Sequence, residues 1–124
     1  MARPKITLLP DTLDLAFYAG DGVNLQLTVT DAANSPLPVD GEILAQIRPT
    51  KISSTVSATF AVDLTDASMG VILISLTGAQ TTALVQPQLL NVFKGVWDVQ
   101  WSPEDAEPVT LIQGRVECYA DVSR

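Results

Sequence analysis

The 124-residue chain contains no histidine. That removes the commonest general base and the commonest transition-metal ligand. It has one cysteine, Cys118. A tetrahedral zinc site takes four ligands, usually Cys and His, and these are not available. A cysteine nucleophile would lack its histidine partner. A single Cys also excludes an internal disulfide, which suits a chain folded in a reducing cytoplasm. Positive charge is scarce: seven Lys and Arg stand against fourteen Asp and Glu, for a net charge of −7. The seven are Arg3, Lys5, Arg48, Lys51, Lys94, Arg115 and Arg124. They form no stripe along the sequence, which argues against counterion-release binding to nucleic acid. An acidic surface also argues against docking on anionic lipid. No run approaches the ~20 apolar residues of a membrane span. The opening MARPKITLLPDTLDL is interrupted by Pro10 and Asp11, so it carries no signal-peptide core. A soluble protein outside the general secretory route is expected, with no membrane insertion and no cofactor.

Motifs of catalysis are missing as well. No serine sits in a Gly-x-Ser-x-Gly elbow, and no phosphate-binding glycine loop occurs. Gly20-Asp21-Gly22 precedes a strand rather than a helix, so it reads as a tight turn. Glu104, Asp105 and Glu107 cluster between prolines, but the calcium-loop pattern is absent and a solvated loop is the simpler reading. Asp63 and Asp66 are read the same way. These observations predict a protein that is not an enzyme.

What the chain does contain is alternation. In VNLQLTVTD, Val23, Leu25, Leu27 and Val29 share one face and polar residues the other, the period of a half-buried strand. EILAQIR repeats the pattern through Ile43, Ala45 and Ile47, and Pro49 ends it. SATFAVDLTD alternates through Ala58, Phe60, Val62 and Leu64. GVILISL is apolar on both faces, which suits a central strand. Between these runs, AANSPLPVDG and DASMG read as turns. Thr77 caps a predicted helix of one or two turns from Gly78 to Val85, stopped by Pro87.

Trp97 and Trp101, in GVWDVQW, share a face in either a helix or a strand. The β-favouring neighbours Val96 and Val99, the bounding Gly95 and Pro103, and the alternate Asp98 and Gln100 favour a strand. Two roles are open to the rings: the centre of a core, or a solvent-facing platform for a sugar or partner. The final run VTLIQGRVECYADVSR puts Ile112, Gly114, Val116, Cys118 and Ala120 on one face and pairs back across a polar hairpin. Cys118 is then a small core residue. Short strands, frequent turns and little helix predict an antiparallel β-sandwich of about seven strands with one short helical crossover. The expected core is Leu25, Leu27, Ile47, Phe60, Ile72, Ile74, Trp97, Val99, Trp101 and Val116. Residues 13–124 form one domain behind an N-terminal arm, residues 1–12. Ile6, Leu8 and Leu9 make that arm apolar enough to add a strand to a neighbouring sheet edge.

Five phrases occur in order: YAGDGVNLQLTVTD, LPVDGEILAQIR, GVILISLTGAQTTAL, VWDVQW and VTLIQGRVECYADVSR. Together, over residues 18–124, they resemble small virion proteins of tailed bacteriophages with immunoglobulin-like domains, and the N-terminal domains of baseplate upper proteins. No second domain is expected after the last strand, unlike in baseplate upper proteins, and the resemblance does not extend to the arm. It implies an immunoglobulin-like sandwich and a non-enzymatic structural role. A minor tail or tail-tip (baseplate) protein is the first expectation, made in the host cytoplasm and oligomeric among other virion proteins. A capsid decoration protein is the alternative, and a carbohydrate-binding module for host attachment a third.

Overall fold

The computed structural model describes residues 11–31, 33–86 and 91–120. Its strands are β1 (Asp11–Thr12), β2 (Leu15–Tyr18), β3 (Val23–Thr28), β4 (Glu42–Arg48), β5 (Ala58–Thr59), β6 (Ala61–Asp63), β7 (Val71–Leu76), β8 (Val92–Ser102) and β9 (Val109–Tyr119). One helix, α1 (Gly78–Val85), links β7 to β8. The larger sheet runs β1-β9-β8-β4-β5, with β2 also on β9; the smaller runs β3-β7-β6. The chain is an all-β sandwich, as its alternation predicts.

Each sheet buries one face. Ile43, Ala45 and Ile47 of β4 face Phe93, Trp97, Val99 and Trp101 of β8 and Val116 and Cys118 of β9 within one core. Leu27, Ile72, Ile74 and Leu76 close it from the smaller sheet. The helix begins where Thr77 stands. Its hydroxyl accepts the Gln80 N–H at 3.1 Å, while the Gln80 side chain accepts the Thr77 N–H at 2.9 Å, a reciprocal capping box. The DASMG turn contains a single 3-10 turn, Ala67–Met69, closed by Gly70 at φ 79°.

Three details are finer than the sequence pattern. The run 57–66, which alternates as one strand, is two: β5 pairs with β4 and β6 with β7, so the chain changes sheets at Phe60. The larger sheet is mixed rather than purely antiparallel. β1 and β2 lie parallel to β9, because residues 19–22 hand the chain to β3 in the other sheet instead of returning it along β9. Between Val99 and Gln100 the β8–β9 register shifts, so Val99 faces Ile112 but Trp101 faces Val109. The bulge at this point restores an inward Val109 that strict alternation from Ile112 would have turned outward.

Candidate functional site

The two tryptophans settle first. Trp97 is 2% exposed and Trp101 0%. The Trp97 ring lies 5.6 Å from the Phe60 ring, tilted by 45°. Its indole N–H donates to the Leu13 carbonyl at 2.7 Å, and that of Trp101 donates to the Asp40 carbonyl at 2.6 Å. The solvent-facing platform is therefore corrected: neither ring is available to stack on a sugar. Each instead fills the core and pins a connection, one between β1 and β2 and the other leading into β4. Of the other residues expected in the core, Leu27, Ile47, Phe60, Ile72, Ile74, Val99 and Val116 are buried, and Leu25 is partly buried at the edge of the smaller sheet.

The nucleophiles and carboxylates are placed for structure. Cys118 is buried, its Sγ donating to the Thr81 carbonyl at 3.5 Å, and burial pushes its thiol up to about 11. That keeps it protonated and unreactive at neutral pH. Gly20, Asp21 and Gly22 form a turn locked by buried Thr81. The Thr81 hydroxyl accepts the Gly20 N–H at 2.9 Å and lies 2.9 Å from the Asp21 carbonyl. Asp63 accepts from both the N–H and the hydroxyl of Thr65, which hold its carboxyl below the usual value. Glu104, Asp105 and Glu107 are exposed in the β8–β9 hairpin. Among the described residues no group of three His, Cys, Asp or Glu is arranged to hold a metal.

Two surfaces remain as candidates for binding. The first is the outer face of the larger sheet. Its register lays Gln46, Asp98 and Gln113 side by side, with Arg48, Val96 and Arg115 in the next row and Lys94 opposite Glu117 beyond. Basic residues far apart in sequence thus meet on one face, something their linear scatter hides. Arg48 is held by the Gln46 side chain at 2.8 Å and the Ser53 carbonyl at 2.9 Å. Asp98 is partly desolvated, which raises its carboxyl, and the Arg48 charge opposes that rise. The first two rows, with Lys51 and Asp14, line an open basin of about 870 Å³. It is broad, shallow and polar, suited to contact with another protein surface and to no enclosed small molecule.

The second surface is an edge. β3 pairs with β7 on one side, and no described strand pairs with it on the other. It is six residues long and contains no charge, proline or glycine. Natural edges are usually blunted by such residues. The other borders among the described strands are interrupted or short: β1 and β2 are separated by Leu13 and Asp14, β5 has two residues and β6 three.

The sequence reasoning missed both surfaces because each depends on register and sheet order. No protein-family model matches the chain, and no curated protein matches it. The phage resemblance therefore rests on the five quoted phrases alone.

Proposed function

We propose that this protein is a non-enzymatic structural component of a bacteriophage virion, a minor tail or tail-tip (baseplate) protein that acts by assembling with other virion proteins. The observation that carries the proposal is a sandwich whose six-residue edge strand, uncharged and without proline or glycine, is covered by no described strand, the kind of edge through which a β-sheet accepts another chain. The strand order is compatible with the immunoglobulin-like fold that the resemblance implies. β3, β7 and β6 correspond to the B, E and D strands of an immunoglobulin sandwich, and β4, β8 and β9 to C, F and G. The same comparison leaves the A position beside β3 without a described strand. Burial of Trp97 and Trp101 removes the motif that favoured carbohydrate attachment.

Quantitative mass spectrometry of purified, fractionated virions tests the proposal. A few to a few tens of copies travelling with tails is the expected result. Hundreds of copies travelling with heads would make it a capsid decoration protein. Absence from particles that are otherwise complete would overturn a virion role.

A further inference from the structure

We infer that the open edge of β3 is an acceptor for residues 5–9 of a second copy of this chain, added as an antiparallel strand; the inference rests on the assembly role proposed above. The acceptor is defined by its backbone. Val29, just after β3, donates its N–H to Gly70 at 2.7 Å and accepts from the Leu37 N–H at 2.9 Å, so its polar groups face the β7 side. Backbone direction alternates along a strand. Val23, Leu25 and Leu27 therefore turn their N–H and C=O to β7, and Asn24, Gln26 and Thr28 turn theirs to the open side. Apolar surface is uncovered there too. Val23 and Leu25 point inward yet are only partly buried, whereas their partners Leu76 and Ile74 are 3% and 1% exposed.

The donor matches in length and pattern. Pro4 and Pro10 bracket five residues, Lys5, Ile6, Thr7, Leu8 and Leu9, each with an N–H to give. Ile6 and Leu8 fall on one side at the period of two, as needed to extend the inner face past Leu25.

The chain's path directs this segment to a neighbour. β1 and β2 climb from Asp11 to Tyr18, and residues 19–22 turn the chain back down β3. Eight residues rise ~26 Å and six descend ~20 Å. Asp11 thus lies at or beyond the far end of β3, which places the edge of a second copy within easier reach of the preceding residues than the edge of their own chain. Each copy carries one donor and one acceptor, so the contact is heterologous and builds a ring or a filament.

Cross-linking tests the pairing. Thr7→Cys and Gln26→Cys are made in separate chains and mixed under mild oxidation, with buried Cys118 left in place. The expected product is a disulfide-linked heterodimer on a non-reducing gel. In a chain carrying both substitutions, intermolecular ladders are expected; a cross-linked product of monomer mass would overturn the inference in favour of pairing within one chain. Light scattering across a concentration series supplies a second readout. Gln26→Pro removes only an outward N–H, so it is expected to melt cooperatively while self-association weakens at least tenfold. No heterodimer, or unchanged association in a folded Gln26→Pro, would sink the edge assignment. The virion measurement is independent: a protein found in particles but lacking the cross-link keeps its assembly role and loses this interface.

Discussion

Gly114→Ala is expected to destabilise this protein more than a small substitution on a strand normally does. Gly114 lies opposite Trp97 in the β8–β9 ladder, beneath the break between β1 and β2. A Cβ there would overlap the Leu13 carbonyl oxygen, lie 2.6 Å from its carbon and stand 3.1 Å from the Asp14 carboxylate. Leu13 must then retreat by more than an ångström. Three hydrogen bonds depend on its position: the Trp97 indole to the Leu13 carbonyl (2.7 Å), the Leu13 N–H to Gln113 (3.0 Å) and the Arg115 N–H to Asp14 (2.9 Å). Orphaning the buried indole N–H costs about 1–3 kcal/mol, and weakening the two more exposed bonds adds about 1 kcal/mol. Lower chain entropy in the unfolded state returns about 0.4–1 kcal/mol. The net loss is about 2–3 kcal/mol, a fall in Tm of about 10 °C for a chain of this size. Urea denaturation of Gly114→Ala, Trp97→Phe and the double variant supplies the assay. Because both changes break the same indole bond, the double variant should lose at least about 1 kcal/mol less than the sum. An unchanged or raised midpoint for Gly114→Ala, or strict additivity, would refute the reasoning.

Thr81→Val removes the hydroxyl that locks the turn before β3, and a loss of about 1–3 kcal/mol is expected by thermal melting, with Thr81→Ser retaining most of the stability. Cys118, with its thiol pushed up to about 11, should resist maleimide at pH 7.5 in the native protein and react fully in guanidinium; rapid native labelling would place it at the surface instead. Asp98→Asn should be neutral or slightly stabilising at pH 7, by less than about 1 kcal/mol given its partial exposure. A carboxyl raised in the folded state weakens the fold above that value and is relieved as pH falls, so the difference should vanish below about pH 4. A destabilised Asp98→Asn at pH 7 would instead make the carboxylate a net favourable partner of Arg48.

Alternation alone locates β3, β4, β8 and most of β9, because each buries one face and exposes the other, and β7 is legible instead as a short apolar run between turns. The helix was equally legible, since Thr77 stands as its cap and Pro87 as its stop, and the structure adds the Gln80 half of the capping box. β2 left a weaker trace: Leu15, Phe17 and Ala19 do alternate, but Pro10, Asp11 and Asp14 make the segment look like a linker. Its parallel pairing with β9 has no local signal at all. Alternation misled at Phe60. Ala58, Phe60 and Val62 keep their period while the chain leaves one sheet for the other, because both sheets face the same core. The basin on the larger sheet was hidden for a related reason. Arg48 and Arg115 are 67 positions apart in sequence but flank Val96 in one row of the sheet. The arm positions Ile6, Leu8 and Leu9 lie outside the described residues.

Charge gives the open edge a reason to be safe before assembly and usable during it. A long uncharged edge normally invites indiscriminate pairing. Here the body around it is strongly acidic. Residues 1–10 hold Arg3 and Lys5 as their only charged side chains, +2 of the total −7, which leaves −9 for residues 11–124. Two bodies meeting face to face or edge to edge repel one another, while a basic segment approaching an acidic body is attracted. Arg48, Lys51, Lys94 and Arg115 belong to the larger sheet, so they do not offset the acidity of the smaller one, where Asp31 follows β3 and Asp63 ends β6 one strand away. Backbone pairing is blind to side-chain identity and cannot by itself choose a partner. The charge difference between segment and body supplies that choice, favouring the donor strand over a second copy of the edge itself.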